Sequence, residues 1–311
     1  GAFAEHLRLL RQAAAAAAGT STESASGSAS SSRGTRPELG VDYGSGCQWE
    51  RGREEGREPE WEWEFVEVRT PEELARCVAL VIPGGESTTM SLVAARSGLL
   101  EPLREFVKVQ RKPVWGTCAG LILLAEAANR TKKTGQDLIG GLDVRVNRNH
   151  FGRQLESFEA ALDLPFLAQG KGAKRDIDPA PFKGVFIRAP VVERILPARE
   201  GAQEAEASRD DETVVAPSRM AEGTMARDSL GSEVEVMAVL PGRSAALPNI
   251  VASAHTEEEV GDIIAVRQGN VFGTSFHPEL TGDSRIHVWW LREVAKALDR
   301  ARHIGDGEGI R

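Results

Sequence analysis

Apolar residues recur at helical spacing at the start of the chain. Phe3, Leu7, Leu10 and Ala14 share one face, which predicts a helix over Phe3 to Ala18. The pattern then lapses. Gly19 to Arg36 is rich in Ser, Ala, Gly and Thr, and Gly44 to Glu60 is rich in Glu, Arg and Gly. Neither stretch carries enough apolar surface to offset the entropy of ordering it, so residues at about 19–60 read as a disordered insertion. Alternation resumes at Phe65-Val66-Glu67-Val68, a short strand by its period of two. Thr70-Pro71-Glu72-Glu73 follows as a helix start, with Thr70 as cap and Pro71 in the first position.

Beyond this point strands and helices alternate. Val78-Ala79-Leu80-Val81-Ile82 is a continuous apolar run of strand length that ends at Pro83-Gly84-Gly85, as expected of a strand buried on both faces of a parallel sheet. Ser87 to Val109 reads as mostly helical, Pro113-Val114-Trp115 as a second buried strand, and Ala119 to Asn129 as a helix. Val144-Arg145-Val146, Gly184 to Ile187, Val234 to Val236, Ile263 to Val266 and Val271 to Phe276 add strands, and Ser284 to Arg302 reads as an amphipathic helix. The order predicts an α/β fold with a parallel sheet. A polar, irregular segment at about 199–232 reads as a second disordered insertion, within one domain over 1–311.

Composition narrows the function. Of 311 residues, 46 are acidic and 38 basic, for a net charge of -8, so there is no basic footprint for nucleic acid or an anionic membrane. No apolar run approaches the roughly 18 residues that cross a bilayer. The three cysteines, Cys47, Cys77 and Cys118, are too few and too uneven in number for a disulfide framework, which fits a reducing, cytoplasmic setting.

Gly116-Thr117-Cys118-Ala119-Gly120 joins a strand to an apolar helix, the G-x-nucleophile-x-G elbow with Cys as nucleophile. Such a turn lifts the sulfur above the carboxyl edge of the sheet, with free N–H groups of the following helix behind it. His277 ends a strand at the same edge, and Pro278 keeps the chain extended, so Glu279 can hold one imidazole nitrogen while the other faces Cys118. His255 is the competing base, though its surroundings read as a loop. His6, His150, His287 and His303 lack such an arrangement and are expected to pack or lie at the surface. Cys77 and Cys47 are expected to be inert. Pro83 to Thr89 is a glycine-rich turn in which the Gly85 amide could pair with that of Ala119 as an oxyanion hole. It lacks the lysine of a phosphate cradle.

These motifs, in this order and followed by Phe276-His277-Pro278-Glu279-Leu280, resemble the class I glutamine amidotransferases. Arg148 to Gln154, Ser157-Phe158-Glu159 and Gly184 to Pro190 are more specific and resemble the glutaminase subunit of the ribose-5-phosphate-dependent pyridoxal phosphate synthase. The resemblance implies a flavodoxin-like three-layer sandwich with a mostly parallel central sheet. It implies hydrolysis of L-glutamine to glutamate and ammonia, with the ammonia passed to a separate (β/α)8 synthase subunit, and both hydrolase and lyase as class terms. It makes Cys118, His277 and Glu279 the triad, and Gly85, Glu86, Ser87, Arg148, Ile187 and Arg188 the contacts to glutamine, with no cofactor and no metal. Members of the family begin with a strand and a Gln-Gly turn, whereas this sequence starts at that Gly, so a central strand and a Gln near the site are expected to be missing. A glutaminase of another amidotransferase, a cysteine peptidase of the same fold, and an inactive homologue that only binds the synthase are the alternatives.

Overall fold

The first helix, α1 (Ala2–Gly19), forms as expected but buries His6, Leu9, Leu10 and Ala13; of the expected face only Leu10 is buried, and Phe3 is exposed. The computed structural model describes residues 2–19, 61–129, 136–148, 157–168, 180–197, 213–218, 232–241 and 261–307. Of the expected insertion at about 19–60, residues 20–60 lie outside these residues, as do Asn149 to Gln154, His255 and most of the expected insertion at about 199–232.

After residue 61 the order is α2 (Pro71–Ala75), β1 (Leu80–Ile82), α3 (Ser87–Arg96), α4 (Leu100–Arg104), a π-helical turn at Glu105–Val109, β2 (Val114–Thr117), α5 (Ala119–Leu124), β3 (Ala125–Asn129) and β4 (Leu142–Asn147). Then come β5 (Ser157–Leu162), β6 (Phe182–Ile187), β7 (Val191–Ile195), β8 (Thr213–Val215), β9 (Glu235–Leu240), β10 (Asp262–Gln268), β11 (Val271–Thr274) and α6 (Arg285–Gly307). Thr70 caps α2 as expected: its hydroxyl accepts from the Glu73 amide while the Glu73 carboxylate accepts from the Thr70 amide.

Nine strands form one mixed sheet in the order β1-β2-β11-β10-β7-β4-β3-β8, with β9 on β10, and β5 and β6 pair separately as a hairpin. Among the described residues six of the nine, β1, β2, β7, β8, β9 and β11, run in one direction. The parallel trio β1-β2-β11 carries the candidate site at its carboxyl edge. Because side chains alternate across a strand, Val114 and Val271 enter a core beneath α2 to α5, while Trp115 and Phe272 enter a second core beneath α1 and α6. The sheet is thus the middle of three layers, in keeping with the expected α/β sandwich.

Three local expectations fail. Phe65 to Val68 forms no ladder; Phe65 packs into the second core and Val68 into the first. The helix after the elbow stops at Leu124, and Ala125–Asn129 becomes β3, paired with β4 and β8. Alanine favours helix, but propensity yields to tertiary context, and burial of Glu126 against Lys108 (2.8 Å) and the Gly141 amide (2.7 Å) holds the extended form. Finally, Thr213–Val215 is an ordered strand inside the segment 199–232 expected to be irregular. Three residues suffice because β3 offers a free edge.

Candidate active site

Cys118 occupies a backbone conformation that L-residues rarely adopt, with φ 48° and ψ -102°. Its neighbours explain how the turn holds. A Cβ on Gly116 would lie 2.5 Å from the Gly120 carbonyl carbon, and one on Gly120 would overlap the Ile82 carbonyl oxygen. The first glycine therefore lets α5 fold back onto β2, and the second lets α5 press against β1. The Cys118 amide donates to Thr274 O at 2.8 Å, tying the elbow to β11. The sulfur is nearly buried and lies 3.9 Å from the carbonyl oxygen of Ile187. Ile187 is followed by Arg188 with φ 46°, so two of the three non-glycine residues of positive φ among those described flank one sulfur. Backbone strain of this kind clusters at sites that use it.

His277 arrives from β11 as expected. Its amide donates to Val185 O at 2.8 Å, and its Nδ1 lies 2.8 Å from Oε1 of the buried Glu279. Burial works against a charged imidazole here, but hydrogen bonds to Cys118 and to Glu279, together with their charges, outweigh it and push the His277 pKa up to about 10. The protonated ring thus predominates at neutral pH, poised between sulfur and carboxylate. Cys77 differs: burial raises its pKa and its thiol is spent on the Glu73 carbonyl, as an inert cysteine requires.

The remaining expected contacts divide into three groups. Gly84 lies directly against the His277 ring, whereas Gly85 is exposed and faces Met90. Ala119, expected as the other oxyanion donor, opens α5 next to the sulfur. Glu86 is exposed and caps α3, accepting from the amides of Thr88 (3.1 Å) and Thr89 (2.8 Å) and from the Thr89 hydroxyl (2.6 Å). That last bond and the two amides hold its pKa down to about 2 against some desolvation. Ser87 and Arg148 do meet, through a residue that the sequence did not single out. Gln136 Oε1 accepts from Ser87 Oγ (3.1 Å), Thr88 Oγ1 (3.3 Å) and Arg148 Nη1 (2.5 Å). Arg148 is 5% exposed, and its Nε and Nη2 have no hydrogen-bond partner among the described residues. Burial lowers its pKa to about 10, partly offset by Glu86. No local motif marks Gln136; only the fold brings it to α3.

A strained cysteine, a protonated histidine and a buried carboxylate at one sheet edge fit a thiol-dependent amidohydrolase site on an α/β sheet. The chain belongs to the SNO glutamine amidotransferase family, which matches residues 1–225 and 238–296. It is 40% identical over 250 residues to the probable pyridoxal 5'-phosphate synthase subunit PDX2 of Arabidopsis thaliana, covering 79% of this chain and 82% of that one. It is 43% identical over 221 residues to the pyridoxal 5'-phosphate synthase subunit PdxT of Streptomyces avermitilis, covering 71% and 77%. A solved structure described as a glutamine amidotransferase is 33% identical, covers 74% of this chain and 86% of that one, and superposes with a TM-score of 0.48. The enzyme is a glutaminase of this family. The expected term lyase does not hold for it: the family is one of glutamine amidotransferases, and a glutaminase is a hydrolase.

Proposed function

We propose that this chain hydrolyses L-glutamine to L-glutamate and ammonia and delivers the ammonia to a separate pyridoxal 5'-phosphate synthase subunit for vitamin B6 synthesis. The observation that carries the chemistry is His277, hydrogen-bonded to Glu279 on one side and to Cys118 on the other. The Cys118 sulfur attacks the side-chain amide carbon of glutamine. The oxygen that becomes negative is met by the amides of Gly85 and Ala119, a contribution typically worth about 10²–10³ in rate per donor. His277 gives its proton to the departing nitrogen, the C–N bond breaks, and ammonia leaves a thioester on Cys118. His277, now neutral, takes a proton from water as that water attacks, and glutamate departs with the thiol restored. Glu279 keeps the ring oriented throughout.

The α-carboxylate of glutamine suits Arg148, whose buried Nε and Nη2 offer two parallel donors. Ile187 and Arg188 border the sulfur and would line the other side of the substrate, with Glu86 holding α3 and its Ser87 in place. The delivery reading draws on relatives that are named as synthase subunits. A cytoplasmic setting suits the free thiols of Cys77 and Cys118, and no helix among the described residues is long and apolar enough to cross a membrane. A single domain with insertions remains our reading of the chain. The test is to titrate the purified chain with the synthase subunit while glutamate release is measured. A rate that rises with the partner supports coupled delivery. A rate already maximal without it rejects coupling, and no glutamate under either condition rejects the glutaminase.

A further inference from the structure

Two more histidines stand behind the triad. Glu279 is 1% exposed, and its Oε1 is taken by His277. Its Oε2 faces His6 of α1, whose Nε2 is 3.4 Å away. The same nitrogen is 3.4 Å from the hydroxyl of Thr117, the residue before the nucleophile. His6 Nδ1 in turn lies 3.1 Å from Nε2 of His287 on α6. Both rings are buried, at 3% and 0% exposure, and Trp115 sets its edge against each, with centroids 5.6 and 5.1 Å away. A line of contacts therefore runs Cys118, His277, Glu279, His6, His287, drawn from β2, β11, the turn after it, α1 and α6.

Chemistry fixes the proton positions. An ionised carboxylate only accepts, so His6 must carry its hydrogen on Nε2 to face Glu279. Its Nδ1 is then a lone pair, and His287 must donate from Nε2. That leaves His287 Nδ1 bare, and it has no hydrogen-bond partner among the described residues; nor does Glu279 Oε2, which meets His6 Nε2 as a charge contact at 3.4 Å. Both rings are neutral in this scheme. Burial favours that state, holding His6 at about 4 against the pull of Glu279, and His287 at about 3 with help from His6. The ionisable groups acting on His6 are Glu279, His277, His287 and, from its own helix, Glu5.

We propose that His6 is a positioning residue of the triad, with His287 setting its tautomer, so that Glu279 is hydrogen-bonded to His277 at Oε1 and faced at Oε2 by the His6 ring 3.4 Å away, which favours one carboxylate orientation. A carboxylate held on one side only can rotate and let the imidazole swing away from the sulfur. The hydroxyl of Thr117 links the same clamp to the elbow itself. The relay also makes the first and last helices part of the active site's support rather than a mere covering layer. The inference rests on the glutaminase reading above.

Two measurements test it. Glutamate release is followed with saturating synthase subunit. Alkylation of Cys118 by iodoacetamide is followed against pH, which needs neither glutamine nor partner. For His6→Leu we expect kcat to fall about 10–100-fold with KM within about twofold, the scale of loss when a supporting group lets catalytic atoms drift. The alkylation profile should shift to higher pH, because a His277 without its fixed counter-ion holds its proton less firmly and stabilises the thiolate less. His6→Gln places an amide donor near the original Nε2 and should recover most of both. Wild-type kcat and an unmoved profile in a folded His6→Leu protein overturn the proposal, as do equal losses in the Leu and Gln variants that simply track a fall in Tm. Should His6→Leu not fold, His287→Leu decides: a displaced profile supports the relay, and an unchanged one rejects it. Wild-type protein that releases no glutamate would instead defeat the glutaminase reading.

Discussion

The backbone of Gly84 lies against the imidazole of His277 so closely that a Cβ there would overlap Cε1 and stand 2.8 Å from Nδ1. Ring and turn compete for one volume, so the glycine is what allows the base to reach the sulfur. Gly84→Ala should lower glutamate release by at least about 100-fold, because a displacement near 1 Å has that effect on catalytic geometry, while thermal unfolding shows a folded protein. Retention of half the wild-type rate would mean the loop moves aside during turnover.

Cys118→Ala should abolish hydrolysis and leave the fold intact. Alanine keeps the strained backbone of φ 48°, ψ -102°, whereas Cys118→Gly relieves it. The glycine variant should therefore be the more stable of the two by about 1 kcal/mol, read from urea unfolding. The glutamine analogue diazo-oxo-norleucine should label Cys118 alone; label at Cys77 would show that the wrong thiol has been assigned.

His277→Asn should be severely impaired, by about 10²–10⁴ in rate, since it removes the proton shuttle. Glu279→Gln leaves the imidazole in place and should retain more activity. Steady-state assays of both variants decide the order, and equal losses would give Glu279 a role beyond orientation.

Gln136→Ala should raise KM for glutamine about tenfold with little change in kcat. It removes the oxygen that holds Ser87 and Arg148, and a hydrogen bond to a charged group is worth about 1.5–3 kcal/mol. An unchanged KM would separate Arg148 from the substrate carboxylate.

Acid should weaken the fold through His6 and His287. The unfolded chain protonates His6 and His287 near 6.5, while the folded one resists until about 4 and about 3. The unfolded state thus binds more protons in that window, so stability falls as pH drops from 6.5 toward 4, at about 1.4 kcal/mol per unit of pKa difference for each ring. His277 acts in the opposite window: its contribution is whole below 6.5 and fades as pH rises through about 10. Denaturation midpoints between pH 4 and 7 should flatten in His6→Gln, and an unaltered slope would argue that the rings are protonated in the native state.

Much of this molecule is local and therefore legible in the chain itself. The elbow at Cys118 is a turn whose glycines sit within two residues of the sulfur. The His277–Glu279 pair spans two positions, though a 3-10 turn at Pro278–Leu280, and not the expected extended backbone, brings the carboxylate to the ring, and the Thr70 cap spans three. Short-range geometry of that kind follows from residue type and spacing alone. What lies between distant segments does not. His6 is 281 residues from the His287 it touches, and Gln136 is 49 from Ser87. Sequence patterns assigned both histidines to packing, because no neighbouring residue advertises a carboxylate. The switch from helix to strand at Ala125 was equally hidden, since Ala-Glu-Ala-Ala favours helix until β4, β8 and Lys108 supply partners. The sequence by itself determined the elbow at Cys118, the nearness of His277 to Glu279 and the alternating α/β order, because these depend on steric and periodic rules acting over a few residues. Only the tertiary structure decided what surrounds the triad carboxylate and what holds Arg148, because those contacts form only when the folded layers bring remote side chains within hydrogen-bonding distance.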